Sequence, residues 1–208
     1  MSAPSIVQAS QLHFQYPDHP LFDDLNLSIP AGVTFVRGGD GRGKTSLLKL
    51  LAGELQARSG QLAINGIRLD QQPTLYRQQV YYVDPRTEEF DQLSVPEYLA
   101  TVQAKFAGFD AARVPALLEG LSLLPHVEKK LFMLSTGSKR KVYLAGAFAA
   151  GAAVNLLDDP FAGLDRSAIH FVCDTLNAFA GQSTQAWIAS FYEVPEQITA
   201  LATIDLGD

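Results

Sequence analysis

Cysteine is nearly absent from this chain. Cys173 is the single one among 208 residues, so no internal disulfide can form and the chain fits a reducing compartment. A lone thiol of this kind reads as a small buried apolar residue. Positive charge is also scarce. Sixteen Lys and Arg stand against 22 Asp and Glu, for a net charge of −6. That balance offers nothing to a nucleic-acid backbone, so no nucleic-acid partner is expected. Met1-Ser2-Ala3-Pro4-Ser5 has neither a basic segment nor an apolar one, so no secretory leader is read there. The longest apolar stretch, Val142 to Leu157, is short and rich in Ala and Gly. It divides better into a helix and a buried strand than it spans a membrane. Repeats, low-complexity tracts and disordered linkers are missing too. The expectation is a cytoplasmic protein, whose membrane role, if any, needs a separate membrane subunit. Hydrophobic residues make up 47%, enough for one domain with a large core or two small ones.

Against these absences stands Gly38-Gly39-Asp40-Gly41-Arg42-Gly43-Lys44-Thr45. It fits G-x-x-x-x-G-K-[ST], the phosphate-binding P-loop. Its glycines let the backbone curl so that successive N–H groups face an anion. Lys44 is expected to reach the β and γ phosphates, and the Thr45 hydroxyl to ligate Mg²⁺. The flanks have the order that such a loop needs. Val33-Thr34-Phe35-Val36 reads as a strand, and a helix follows from about Thr45 through Leu51, its N-terminal end turned to the same phosphates.

Elsewhere, Ile6 to Tyr16 and Leu21 to Ile29 read as strands on either side of a turn at residues 17–20. Leu62-Ala63-Ile64, Asn65-Gly66 and Ile67-Arg68-Leu69 form a hairpin signal with a type I′ turn. Val80 to Val83 is a short buried strand. Ser94-Val95-Pro96-Glu97 looks like a capping box at a helix start. The pattern then stays helical to about Ala150, interrupted at Pro115 and Pro125. Ala153 to Leu157 is an apolar strand, Arg166 to Ala180 a helix, and Trp187 to Ser190 a last core strand before a mixed tail. This order predicts a parallel α/β core interrupted by a helical arm.

A P-loop needs a second Mg²⁺ ligand, usually an acid at the end of a buried strand. Asp158 meets that requirement. Asp159 follows it, on a side chain that diverges at the strand end, and is a candidate general base or water-orienting group. Catalytic roles thus fall to Asp159 and Lys44, and metal binding to Thr45 and Asp158.

The full set resembles the ATP-binding cassette (ABC) ATPase family over about residues 6 to 206. Tyr16 stands where that family places an aromatic that stacks on adenine. Leu134-Ser135-Thr136-Gly137-Ser138 stands at its LSGGQ signature. Leu156 to Pro160 matches the Walker B end, and Gly163-Leu164-Asp165 the D-loop. Ser135 alone is equally consistent with a simple helix cap, and Lys139, Arg140 and Lys141 with a solvated helix face. The resemblance implies a P-loop NTPase core: a mixed sheet, mostly parallel, with an N-terminal antiparallel part and an inserted α-helical arm. The chain would be a single nucleotide-binding domain, 1–208, with about 1–90 and 152–208 as core and about 91–151 as arm. ATP and Mg²⁺ are the implied ligands, held by Tyr16, Gly38, Gly39, Asp40, Gly41, Arg42, Gly43, Lys44, Thr45 and Ser46. Ser135, Thr136, Gly137 and Asp165 would act in trans across a homodimer or heterodimer. Membrane permease subunits would be further partners, placing the chain at the inner face of the membrane. Small size and a single domain resemble stand-alone cassette subunits such as the haem-export ATPase of cytochrome c maturation.

This chain departs from the family pattern at several points. The family's catalytic Glu is Asp159 here, which shortens the reach by about 1.5 Å, and misplacement on that scale is costly. The switch His is Phe191, which cannot hydrogen-bond a phosphate or a water. The Q-loop Gln falls on Asp84 or Pro85; Asp84 is expected to retain a capacity for Mg²⁺. Asp40 brings a carboxylate near polyphosphate, which is repulsive unless screened. Arg42 is read either as a phosphate contact or as an offset to Asp40. Together these predict ATP binding with slow or partner-dependent hydrolysis, or else a nucleotide-gated cassette with negligible hydrolysis. A P-loop kinase would need an Arg-bearing lid, which the arm does not show.

Overall fold

In the computed structural model, residues 5–17, 19–180, 184–191, 197–198 and 202–207 are described. The N-terminal segment read above as leaderless lies mostly outside them. Val7 and Ala9, then Leu12 and Phe14 of Ser5–Tyr16 (β1), are buried with the period of a half-buried strand, on either side of a register shift. His19–Pro30 (β2) pairs with it antiparallel. Gly32–Arg37 (β3) is buried from Gly32 to Val36 and leads through the glycine-rich loop into Lys44–Ala52 (α1). Ser59–Ile64 (β4) and Ile67–Arg68 (β5) form the expected hairpin. Asn65 and Gly66, at φ 50° and 80°, give its turn the two positive φ values of type I′. A short helix that sequence periodicity misses, Pro73–Arg77 (α2), precedes Val80–Tyr82 (β6).

Helices then take over. Val95–Lys105 (α3) begins at the capping box, with the Ser94 hydroxyl and the Glu97 carboxylate each accepting the other residue's backbone N–H. Val114–Gly120 (α4) and Thr136–Ala150 (α5) follow, joined by single 3₁₀ turns. Pro115 and Pro125 do not interrupt a helix. Each stands in the first turn of an element, where its missing N–H has no intrahelical partner to lose. Val154–Asp158 (β7), Arg166–Ala180 (α6) and Ala186–Ser190 (β8) complete the α/β part. β8 is the last fully buried strand, but it is not the last strand. Ala202–Asp205 (β9), from the mixed tail, pairs parallel with β3 and forms the edge.

The antiparallel strands make a sheet of their own, in the order β2-β1-β4-β5. The parallel sheet runs β6-β7-β8-β3-β9, which puts the P-loop strand and the Asp158 strand on either side of β8. Side chains alternate between its faces and partition two cores. Val36, Val154, Leu156 and Ile188 pack with α1 and the antiparallel sheet. Val33, Phe35, Leu157 and Trp187 pack with α5, α6 and the arm. Burial on both faces is the usual condition for parallel strands. The α/β architecture expected from the sequence is therefore the one observed.

Candidate functional site

At the carboxyl ends of β3, β7 and β8 the chain gathers most of its singled-out polar residues. This is the edge at which open α/β sheets bind ligands. Gly43 caps α1 at φ 92°, and a Cβ there would meet the Leu21 side chain at 2.7 Å. Only glycine fits both the conformation and the space. The first turn of α1 leaves its amides without intrahelical carbonyls, so they point to the open edge. Lys44 Nζ folds back over the loop and donates to the carbonyl oxygens of Gly38 and Gly39, at 2.6 and 2.9 Å. The loop is held from behind, where Gly39 N–H donates to Gly207 O at 3.0 Å. Arg37, at its entrance, pairs with Asp205 at 2.6 Å.

Thr45 and Asp158 meet directly. Thr45 Oγ1 donates to Asp158 Oδ2 at 2.8 Å, although 113 positions separate them in sequence. A hydroxyl and a carboxylate are the hard oxygen donors that Mg²⁺ takes, usually with one or two carboxylates and with phosphates and water completing its shell. The residues present fit such an ion. Among the described residues no cluster of three or more His, Cys, Asp or Glu forms a cage of protein ligands, and Mg²⁺ on a nucleotide does not need one.

Asp159 sits just past β7 with φ 47°, and its side chain is exposed at the same edge. Tyr16 is 42% exposed. Its ring packs edge-on against Phe14 with centroids 5.0 Å apart, and its hydroxyl lies 3.0 Å from Ser46 Oγ. Tyr16 and Ser46 are thereby tied to one another beside the loop. Asp40 and Arg42 are both exposed, and no ion pair joins them among the described contacts.

Asp84 is not free for a metal. Its carboxylate accepts from Lys49 Nζ at 2.7 Å and from the Arg86 amide at 2.9 Å. Burial works to raise the Asp84 carboxyl, but Lys49 and that amide together hold it below the ordinary value. The same pairing raises the Lys49 ammonium. Phe191 is buried, 2% exposed, stacked on Phe161 at 5.2 Å and edge-on to Phe35 at 4.8 Å. Its ring belongs to the core and not to the edge where Asp159 stands.

The signature-like segment is elsewhere on the surface and is built differently. Ser135 caps α5, accepting from Ser138 N–H at 3.1 Å. Gly137 touches the Gly163 backbone so closely that a Cβ would stand 2.2 Å from the carbonyl oxygen. The three cations that follow are not a solvated face. Lys139 pairs with Asp91 at 2.5 Å, Arg140 donates to the Ala162 carbonyl, and Lys141, nearly buried, pairs with Asp165 at 2.5 Å. Asp165 also accepts from Ser167 Oγ at 2.6 Å and the Ala168 amide at 2.9 Å. Lys141, then Ser167, then that amide hold its carboxyl well below the usual range. Its carboxylate is thus engaged within its own chain. Sequence spacing did not reveal the roles of Lys49, Asp91 and Ser190, because each partner comes from a distant segment.

A family model described as ABC transporter matches residues 22–162. The cytochrome c biogenesis ATP-binding export protein CcmA of Pseudomonas savastanoi is 33% identical over 168 residues, spanning 80% of this chain and 79% of that protein. The Nod factor export ATP-binding protein I of Cupriavidus metallidurans is 29% identical over 211 residues, spanning 98% and 69%. A solved ATP-binding subunit of an ABC transporter superposes with a TM-score of 0.81 at 25% identity, over 90% of this chain and 80% of that one.

Proposed function

The chain belongs to the ABC transporter family, and from that premise we propose that it is a transporter's ATP-binding subunit with a Mg-ATP site at Tyr16, Gly38 to Ser46 and Asp158. The observation that carries the reading is the contact of Thr45 Oγ1 with Asp158 Oδ2 at 2.8 Å, at the mouth of the P-loop. Two separate sequence segments meet there with the donors that a nucleotide-bound Mg²⁺ takes. Bound Mg²⁺ would supply charge to screen the β and γ phosphates. Lys44 would exchange the carbonyls of Gly38 and Gly39 for phosphate oxygens. Asp159 would orient the attacking water or accept its proton.

The reading takes the whole chain, 1–208, as one nucleotide-binding domain, with about 91–151 as its arm. Ser135, Thr136 and Gly137 would meet ATP held by a second cassette, in a homodimer or heterodimer, with Asp165 at the same interface. Membrane permease subunits would complete the assembly and hold it at the cytoplasmic face. No helix among the described residues is long and apolar enough to cross a membrane.

Hydrolysis is expected to be slow or partner-dependent. Asp159 is shorter than the family's Glu, Phe191 is turned into the core, and Asp84 is paired to Lys49. Missing water-orienting groups commonly cost orders of magnitude in rate. Those same observations favour a second reading, a nucleotide-gated cassette that clamps a dimer with negligible turnover. Phosphate release and ATP-dependent dimerisation, measured for the full chain and for Asp159→Asn, separate the two. Release well below about 10 s⁻¹ that disappears in Asp159→Asn supports the ATPase. No release in either protein, with dimerisation intact in both, supports the clamp. A rate near 10 s⁻¹ for the isolated chain refutes slow hydrolysis.

A further inference from the structure

Ser190 ends β8, at the centre of the parallel sheet. Its register sets it opposite Asp158 of β7 on one side and Val36 of β3 on the other. One residue therefore adjoins both the strand that presents the acids and the strand that feeds the P-loop. Its side chain is buried, 2% exposed. Its hydroxyl donates to Asp158 Oδ1 at 2.7 Å and accepts from the Asp159 N–H at 3.2 Å. The Ser190 carbonyl accepts that same N–H at 3.2 Å.

Asp158 is left with one oxygen engaged and the other turned to Thr45. A carboxylate rotates broadly about its last torsion, and the Ser190 donor holds its plane so that an oxygen is presented to Thr45. Asp159 holds a left-handed φ of 47°, which Asp visits only as a single locally supported residue. Ser190 grips the amide at that position, and the exposed carboxylate leaves the sheet toward the same edge. The next residue cannot replace this grip, because Phe191 packs on Phe35 and Phe161.

We propose that Ser190 is a positioning residue for the nucleotide site. It fixes the plane of the Asp158 carboxylate beside Thr45, orients Asp159, and so sets how strongly nucleotide binding depends on Mg²⁺. The proposal rests on the Mg-ATP reading of this site.

The test titrates Mg²⁺ into the full chain with a fluorescent ATP analogue, starting from a chelated baseline, and records the thermal midpoint of each variant. Ser190→Ala is expected to raise the Mg²⁺ concentration for half-maximal binding by about tenfold, the scale of one hydrogen bond to a charged group. Metal-free nucleotide binding should change by less than about twofold. Ser190→Thr, which keeps the hydroxyl, should restore the wild-type titration. If Ser190→Ala loses the fold, Ser190→Cys keeps the volume with a weaker donor and must show the same shift. A Mg²⁺ titration that superposes on wild type in the folded variant overturns the proposal. So does a Thr variant as impaired as the Ala variant, which would assign Ser190 a packing role. Wild-type protein that binds the analogue no better than Lys44→Ala refutes the Mg-ATP reading itself, a result distinct from either of these.

Discussion

The loop that carries Lys44 and the helix that carries Lys141 are both furnished with cations, yet they hold them in opposite ways. Lys44 rests on two backbone carbonyls of its own loop, Gly38 and Gly39. Lys139, Arg140 and Lys141 reach out to two other segments, Lys139 to Asp91, and Arg140 and Lys141 to Ala162 and Asp165 between β7 and α6. Neutral carbonyls within one loop are partners that a phosphate can replace, because a charged acceptor makes the stronger hydrogen bond. Half-buried ion pairs between segments resist replacement, because breaking one leaves a charge poorly solvated. On the proposed reading the first region is an exchangeable site, and the second is a fixed platform. The same residue type serves both, and only its partners tell them apart.

Lys44→Ala breaks the comparison most sharply. If Lys44 is the exchangeable cation, its loss removes charge-assisted hydrogen bonds to the ligand, and ATP affinity should fall on the order of 100-fold. A binding titration checks this, and the thermal midpoint without nucleotide should barely move. Gly137→Ala should do the reverse. Its Cβ would stand 2.2 Å from the Gly163 carbonyl, so the platform must shift at a cost of about 1–3 kcal/mol. Thermal denaturation would register that loss, while nucleotide affinity of the isolated chain should stay within about twofold.

A smaller effect is expected for the Lys141–Asp165 pair. Because the folded state depresses the Asp165 carboxyl, its contribution is complete above the unfolded value near 4 and fades as pH falls toward the folded one. Asp165→Asn keeps a side-chain cap for α6 but loses the charge. Denaturant midpoints should show the variant less stable than wild type at pH 7, with the gap closing below about pH 4. An equal gap at both pH values would contradict the pairing. Arg42→Ala should do least. The side chain is exposed and unpaired among the described residues, so ATP affinity should change by about twofold or less. A larger loss would show that the Arg42 side chain, and not only its backbone in the loop, contacts the phosphates.

The parts legible in the sequence are those whose chemistry is local. Gly43, Lys44 and Thr45 are neighbours, so their spacing announces a loop ahead of a helix. Ser94 and Glu97 lie three apart and make the capping box that they spell. Asn65-Gly66 needs only its own backbone to make its turn. Strand β9 was hidden because residues 202–205 alternate intermediate and exposed positions at a sheet edge, which lacks the apolar run of a central strand. Lys139 to Lys141 looked like a solvated face because three adjacent cations carry no hint of three separate partners.

Asp158 shows where the boundary falls. An apolar run ending in two acids marks it as a strand-end carboxylate from sequence alone. Its partners, Thr45 on α1 and Ser190 on β8, come from segments far apart in the chain. The sequence by itself determined the P-loop, the acids and the alternation of helix with parallel strand, because glycine conformation, charge and hydrophobic period act between near neighbours. Only the tertiary structure decided that Asp158 meets Thr45 and Ser190, that Asp84 belongs to Lys49, and that Phe191 serves the core. Those choices depend on the register β7-β8-β3, which is set by packing across two cores, and no local spacing encodes it.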